Sequence, residues 1–469
     1  MSNNSKRVSV VSKLTAVSSR PTGPGHTHPF TALDHAMGLH SLHIIYYYKH
    51  NIFTYFDLDP SRVSLSEVLS LYPPVTGRLT RDGDGNWQVK CNDAGVRVVK
   101  AHVGTTLDEW LRSADGLEER DLTVWDDMPD DPNTWSPFRV QINEFQGGGI
   151  AIGLSCTHMQ ADPTCATLLL NSWTQTHRGQ PMTHPPVYST LQTHGPPLPN
   201  LQTKSTSFYT TKSKHVQNQP PSVQMATATF IFSHAAIKQS LIQVHDNCPD
   251  ATPFDLLAAL FWTRVARLKA SEHERKRSLS VCVDFRKQLR PPLPLGYYGN
   301  ALHFSLLSLD SEEIDGGGLG NVVERVHHHL SSMEKEEFRS AIEWFESHKE
   351  EGGGCNKFAP PFRMYGPELT CISMEHMIDV PSGPTGKAGK PLMYGAMFDE
   401  EAGPVHVSYN VGNVEGEGLI MVMPACPDDE DEMLRRTVMV ALSRKELAEL
   451  CEDQAVLGLH PTMLLSGRH

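Results

Sequence analysis

The sequence predicts an α/β protein of two lobes, each a mixed sheet layered with helices. Three observations carry that prediction. The chain has 469 residues, too many for one ordinary core and enough for two domains. Strand-like and helix-like segments are mixed through both halves, the pattern of packed sheet and helix layers. Between the halves, residues 176–225 are rich in Pro, Thr, Ser, Gln and His and poor in large apolar side chains, as an interdomain crossover is. The expected divisions are a flexible N-terminal arm over 1–25, an N-terminal lobe over 26–180, a crossover linker over 181–225 and a C-terminal lobe over 226–469.

In the first lobe, TALDHAMGLHSLHIIYYY (31–48) offers a polar cap at Thr31, a helical stretch and a β-rich run closing on three tyrosines. SLSEVLSLYPPVTGRL (64–79) reads as a capped amphipathic helix with Leu65, Val68, Leu69 and Tyr72 on one face, stopped by Pro73 and Pro74. NWQVKCNDAGVRVVKAHV (86–103) reads as a hairpin turning at Asn92–Gly95. FRVQINEF (138–145), the glycines 147–149 and IAIGLS (150–155) read as a second, more apolar hairpin.

In the second lobe a strand is expected at 226–232, helices near 234–244 and 253–269, and a strand at 278–284. Glycines 316–318 and 352–354 mark loops flanking a helix that carries His327, His328 and His329, expected on a solvated face. Strands follow near 366–374, 404–411 and 417–423, then a capped helix SRKELAEL (443–450). The acidic run at 428–432 reads as a loop without calcium-loop spacing.

Composition narrows the function. Lys and Arg number 41 against 54 Asp and Glu, a formal charge of −13, which argues against a nucleic-acid partner. A small anionic ligand stays possible, because a local basic pocket can sit on an acidic protein. The nine cysteines are scattered, odd in number and form no CxxC pair. Neither a disulfide framework nor a zinc site is suggested, and a reducing compartment fits best. The N-terminus is polar, without the apolar stretch of a signal peptide, and no window approaches the ~18 apolar residues of a membrane span. A soluble or peripheral protein is expected.

The chemistry concentrates in GLSCTHMQADPTC (153–165), where His158 and Asp162 stand four positions apart at the end of an apolar run. A histidine just after a strand, at a turn before a helix, is well placed for a general base: the strand fixes the backbone and the loop leaves the ring accessible. Its unperturbed pKa near 6.5 lets it take a proton at neutral pH. Asp162 would brace the turn. On spacing alone a structural turn histidine is the commoner outcome, since HxxxD is short. No third ligand accompanies the pair, so a metal site is not expected.

A second string, VDFRKQLRPPLPLGYYGN (283–300), supplies Arg286 to pair with a buried carboxylate, prolines that fix an extended path, and Gly296 and Gly299 for close backbone approach. With HMQAD, the chain resembles the BAHD acyltransferases of plants. SLSEVLSLYPPVTGRL, VQINEFQGGGIAIGLSCTHMQAD and TPFDLLAALFW (252–262) match that family's segments in order, from about residue 28 onward. The resemblance implies a chloramphenicol-acetyltransferase-like fold of two similar lobes with a channel between them. Acyl-CoA would enter from one face as substrate or ligand, with no bound cofactor, and an alcohol or amine from the other. His158 would be the proton acceptor, and Asp162 would turn away to a salt bridge with Arg286.

The family's second hallmark, DFGWG, falls at PLMYGAMFDEEAGPVHVS (391–408). Met397 takes the Asp slot, Phe398 is retained and the Gly-Trp-Gly has become acidic. The glycine expected after Asp162 is Pro163, which restricts Asp162 to extended backbone and would re-aim the turn. These departures, with TALDHAMGLHSLHIIYYYKHN, KCNDAGVRVVKAHV and MYGPELTCISM (364–374), resemble the Eceriferum/Glossy wax-biosynthesis branch. That branch implies an accessory role: binding the condensing enzyme of the fatty-acid elongase, or its acyl-CoA product, to lengthen very-long-chain acyl chains. It also implies a monomer held peripherally on the cytosolic face of the endoplasmic reticulum. The alternative is an active CoA-dependent acyltransferase with His158 as general base, favoured by the intact HMQAD and VDFR strings.

Overall fold

The computed structural model describes residues 7–53, 60–189, 191, 203–214, 225–269, 275–350, 357–358, 361–378, 390–400, 403–426 and 433–467. Two large mixed sheets organise them. Their strands, in chain order, are β1 (Val8–Ala16), β2 (Ser41–Tyr48), β3 (Val96–Thr106), β4 (Phe138–Gln146), β5 (Ile150–Thr157), β6 (Met225–Phe232), β7 (Lys276–Asp284), β8 (Leu302–Asp310), β9 (Leu369–Ser373), β10 (His406–Val411), β11 (Leu419–Pro424), β12 (Arg436–Ser443) and β13 (Thr462–Leu464). The six-stranded sheet runs β1-β3-β4-β5-β2-β10 and the seven-stranded sheet β8-β7-β9-β11-β12-β6-β13. Each contains parallel and antiparallel pairs: β3 with β4 and β7 with β9 are parallel, β4 with β5 and β11 with β12 antiparallel.

The lobe boundary differs from the expected one. β10 comes from the C-terminal half yet pairs antiparallel with β2 in the first sheet, from His406 opposite Tyr47 to Val411 opposite Leu42. The hydrophobic core is continuous across the boundary, joining Tyr46, Ile152 and Trp173 to Phe304, Tyr365 and Phe398. The seven-stranded sheet also has its own core, where Phe261 and Trp262 of the helix Pro253–Leu268 meet Phe230 and Ile420.

Other expectations are corrected by non-local pairing. Residues 8–16, expected in a loose arm, are the edge strand β1, antiparallel to β3. Val10 and Val11 point to solvent, so the alternation that announces a half-buried strand is weak there. Residues 86–103 are not a hairpin: Trp87–Lys90 joins a three-stranded sheet with Thr27–Pro29 and Arg78–Arg81, whereas β3 leaves for the main sheet. The helix expected from Ser64 up to Pro73 is Pro60–Leu69, followed by a separate turn Pro73–Thr76. Within the crossover lies a helix, Lys204–Lys214, which buries Phe208 and Tyr209. Of the three consecutive histidines only His328 faces solvent; His327 bonds Asp255 (2.9 Å) and His329 bonds Ser305 (2.8 Å). β8, β12 and the helix Lys335–Ser347 had no expectation attached. Gly352–Gly354, Cys355 and the acidic run 428–432 lie outside the described residues.

The hairpin that delivers the candidate base is as the sequence indicates. Every residue of β5 is buried, which explains its unbroken apolar run: both faces are covered. Gly147 and Gly148 make the β4–β5 turn with φ of +82° and +97°, values a residue with a Cβ rarely adopts. β5 ends at Thr157, one residue before His158.

Candidate active site

His158 is held by backbone on both sides. Its N–H donates to the His40 carbonyl (3.0 Å), and its own carbonyl accepts from Asn300 Nδ2 (2.9 Å). Asn300 is fixed in turn by Asp34 Oδ1, which accepts both the Asn300 amide N–H and Nδ2 at 2.8 Å. Burial raises the pKa of Asp34, against hydrogen bonds from Asn300 and Thr31 that pull it down.

The imidazole is not accessible, contrary to the open ring expected at a loop: His158 is 0% exposed. Tyr365 covers it, stacked at 5.7 Å and 28°, with its hydroxyl 2.9 Å from His158 Nε2. Nδ1 has no hydrogen-bond partner among the described residues. Burial drives the pKa of His158 down to about 4, against smaller opposing effects from the nearby backbone, the Asp162 charge and Asn300. The ring is therefore neutral at physiological pH, the form that accepts a proton. His40 packs edge-on against Tyr365 at 4.9 Å and 90°. The Met364 N–H donates to His40 Nε2 (3.1 Å), so Nδ1 carries the proton and donates to the Gly412 carbonyl (3.1 Å).

Asp162 does not face His158's free nitrogen. Its backbone is extended, φ −91° and ψ 174°, and it caps the helix Pro163–His177 by accepting the Cys165 N–H (2.9 Å). Pro163 imposes that geometry and occupies the first helical position, where a missing N–H costs nothing, so it reinforces the turn instead of re-aiming it. The second oxygen of Asp162 accepts the Ala301 N–H (3.1 Å) and lies 2.8 Å from Arg286 Nη1. Burial would raise its pKa, but the Arg286 charge and these hydrogen bonds outweigh burial and hold the carboxyl below its usual range.

Arg286 has a second carboxylate that sequence reasoning missed. Asp284, two residues earlier, bonds the same Nη1 and accepts the Arg286 backbone N–H (2.8 Å). Nη2 donates to the carbonyls of Tyr297 (3.2 Å) and Gly299 (3.0 Å). Thr164 Oγ1 and His376 Nε2 approach the same Asp284 oxygen that Arg286 bonds, at 3.3 and 3.6 Å. Of the two glycines expected to allow close approach, Gly296 has the Pro185 carbonyl where a Cβ would stand, and Gly299 has φ +147°.

At the degenerate hallmark, Phe398 is buried between Phe53 and Trp173, each ring 5.0 Å away. Met397 is half-buried, its sulfur 3.8 Å from Lys390 Nζ. No cluster of three or more metal-ligating side chains forms among the described residues, and none of their helices is long and apolar enough to cross a membrane.

A histidine one residue past a strand end, with Asp162 of the same loop in a buried carboxylate–guanidinium pair, is what the structure places at the two strings. Residues 6–457 match a family described as the Transferase family. The chain belongs to this family, that of the BAHD acyltransferases. A BAHD relative, a hydroxycinnamoyltransferase from Narcissus pseudonarcissus, is 28% identical over 314 residues, 64% of this chain and 71% of its own. A fatty alcohol:caffeoyl-CoA acyltransferase from Arabidopsis thaliana is 26% identical over 292 residues, 60% of this chain and 67% of its own. The crystal structure of vinorine synthase shares the fold with a TM-score of 0.69 at 20% identity, covering 96% of this chain and 98% of that one.

Proposed function

We propose that the protein is an acyl-CoA-dependent acyltransferase in which His158 is the general base. The observation that carries this reading is the hydroxyl standing 2.9 Å from His158 Nε2, the relation an acceptor alcohol needs. His158 would remove the acceptor's proton while the oxygen attacks the thioester carbonyl carbon. Collapse breaks the C–S bond, and the departing thiolate takes the proton from His158. Asp162 and Arg286 hold the loop and touch no reacting atom. The name of the Arabidopsis thaliana relative, a fatty alcohol:caffeoyl-CoA acyltransferase, makes long-chain alcohols the first acceptors to try.

A second reading has one observation of its own. Tyr365 seals His158 from solvent, and Met397 stands at the Asp slot of the second hallmark, as a scaffold relieved of catalysis would allow. Under it the protein assists the fatty-acid elongase at the endoplasmic-reticulum surface, lengthening very-long-chain acyl-CoAs without proton transfer. One substitution separates the two. With folded protein verified, His158→Ala should lower acyl transfer by roughly a hundredfold or more. If yeast expressing a condensing enzyme keeps its surplus of longer acyl chains with His158→Ala, and no transfer is found in wild type, the accessory reading replaces the first.

A further inference from the structure

The segment that covers His158 is fixed on several sides. The Met364 N–H bonds His40, Arg363 pairs with Glu415 (2.9 Å), and Lys212 Nζ reaches the Gly366 carbonyl and Glu368 (2.8 Å). Tyr365 projects from it with no solvent exposure, its ring edge-on to Phe304 at 5.3 Å. Among the described residues its hydroxyl has one hydrogen bond, the one to His158 Nε2.

An imidazole nitrogen in the form a base requires has one lone pair and accepts one hydrogen bond. With the ring proton on Nδ1, the phenol hydroxyl takes it. An acceptor alcohol needs the same lone pair, so phenol and acceptor cannot both be served. Burial, with a smaller contribution from the Asp162 charge, pushes the Tyr365 pKa well above its ordinary value, so the phenol keeps its proton and holds the position without acting as a nucleophile. Displacing the ring vacates an aromatic, apolar setting beside Phe304 and His40. A hydrocarbon chain refills that setting; water cannot do so without loss of hydrogen bonds.

We propose that Tyr365 is a specificity-determining residue: its phenol competes with the acceptor for His158 Nε2, excluding water and admitting alcohols whose chain replaces the displaced ring. The inference rests on His158 being the base. Without the guard, water would add to the thioester carbonyl, the C–S bond would break, and the thiolate would take the proton that His158 removed, giving the free acid and CoA.

The test uses the full chain with feruloyl-CoA as donor and 1-hexadecanol as acceptor, comparing wild type, Tyr365→Phe, Tyr365→Ala and His158→Ala. Tyr365→Phe should lower the KM for hexadecanol by roughly three- to tenfold, the scale of one hydrogen bond, whereas a merely structural loss would raise it. Tyr365→Ala should raise feruloyl-CoA hydrolysis without alcohol on the order of tenfold or more. An unchanged or raised KM in Tyr365→Phe overturns the proposal, as does a folded Tyr365→Ala that hydrolyses no faster than wild type. If Tyr365→Ala does not fold, the KM of Tyr365→Phe decides. If wild type turns over neither way, turnover gained in a Tyr365 variant supports the proposal, and none gained overturns it. A His158→Ala chain as active as wild type removes the base assignment itself, which distinguishes that failure from one confined to Tyr365.

Discussion

Arg286 Nη1 lies 2.8 Å from Asp162 Oδ2 and bonds Asp284 as well, so one buried cation serves two buried carboxylates. The three side chains are at most 1% exposed. The charge excess is balanced by donors: the Cys165 and Ala301 amides on Asp162, and the Arg286 amide on Asp284.

The cost of substitution there should be ordered by what is left behind. Arg286→Met strands two carboxylates in the interior and should cost roughly 3–5 kcal/mol or abolish folding. Asp162→Asn keeps a good helix cap and leaves Arg286 paired with Asp284, so it should cost less, about 1–3 kcal/mol. Asp162→Ala loses the cap too and should fall between them. Denaturant midpoints check the order, and Asp162→Asn as damaging as Arg286→Met would contradict this account.

Acid should destabilise the protein well before its carboxylates are neutralised. His40, His158, His303 and His406 are enclosed and His43 is half-buried, and burial lowers their pKa to about 3 for His40 and His303 and about 4 for the others. An unfolded histidine titrates near 6.5, so between about pH 6.5 and 4 the unfolded chain binds more protons than the folded one. Stability therefore rises with pH across that window and is lost as pH falls through it. Asp34 and Glu119 act oppositely, since burial raises their pKa and the folded chain keeps protons the unfolded chain releases. Five histidines outweigh two carboxyls, and Tm should drop by roughly 10 °C from pH 7 to pH 5. A thermal-unfolding series with a flat Tm over that range would refute it.

What was legible in the sequence was local. β5 is an unbroken apolar run after a glycine turn, so the place of His158 followed from Gly147 onward, residues close to it in the chain. Arg286 sat in a string long enough to recognise; Asp284, the last residue of β7, is only two positions earlier, but Arg286 lies in the turn beyond the strand, so strand alternation does not pair them. β1 was missed because its exposed valines break the alternation, and β10 because nothing near it names β2 as its partner. Tyr365 is 207 residues from His158; its string was noticed, but only the fold brings its hydroxyl to the imidazole.

His40 gives the last prediction, because it ties the covering segment to the site from both ring nitrogens. It accepts the Met364 N–H at Nε2 and donates to the Gly412 carbonyl from Nδ1, which requires the neutral ring. His40→Phe keeps the aromatic contact with Tyr365 but leaves the buried Met364 N–H without its partner, a loss of about 1–3 kcal/mol, and the half-buried Gly412 carbonyl without its own. Met364 should then open locally before the rest of the fold does. Hydrogen exchange at the Met364 amide reads this directly: it should speed up on the order of tenfold or more in His40→Phe, whereas core strand β5 should slow or hasten only with global stability. Equal acceleration at Met364 and in β5 would mean that His40 supports the fold as a whole, and that the covering segment has no opening of its own.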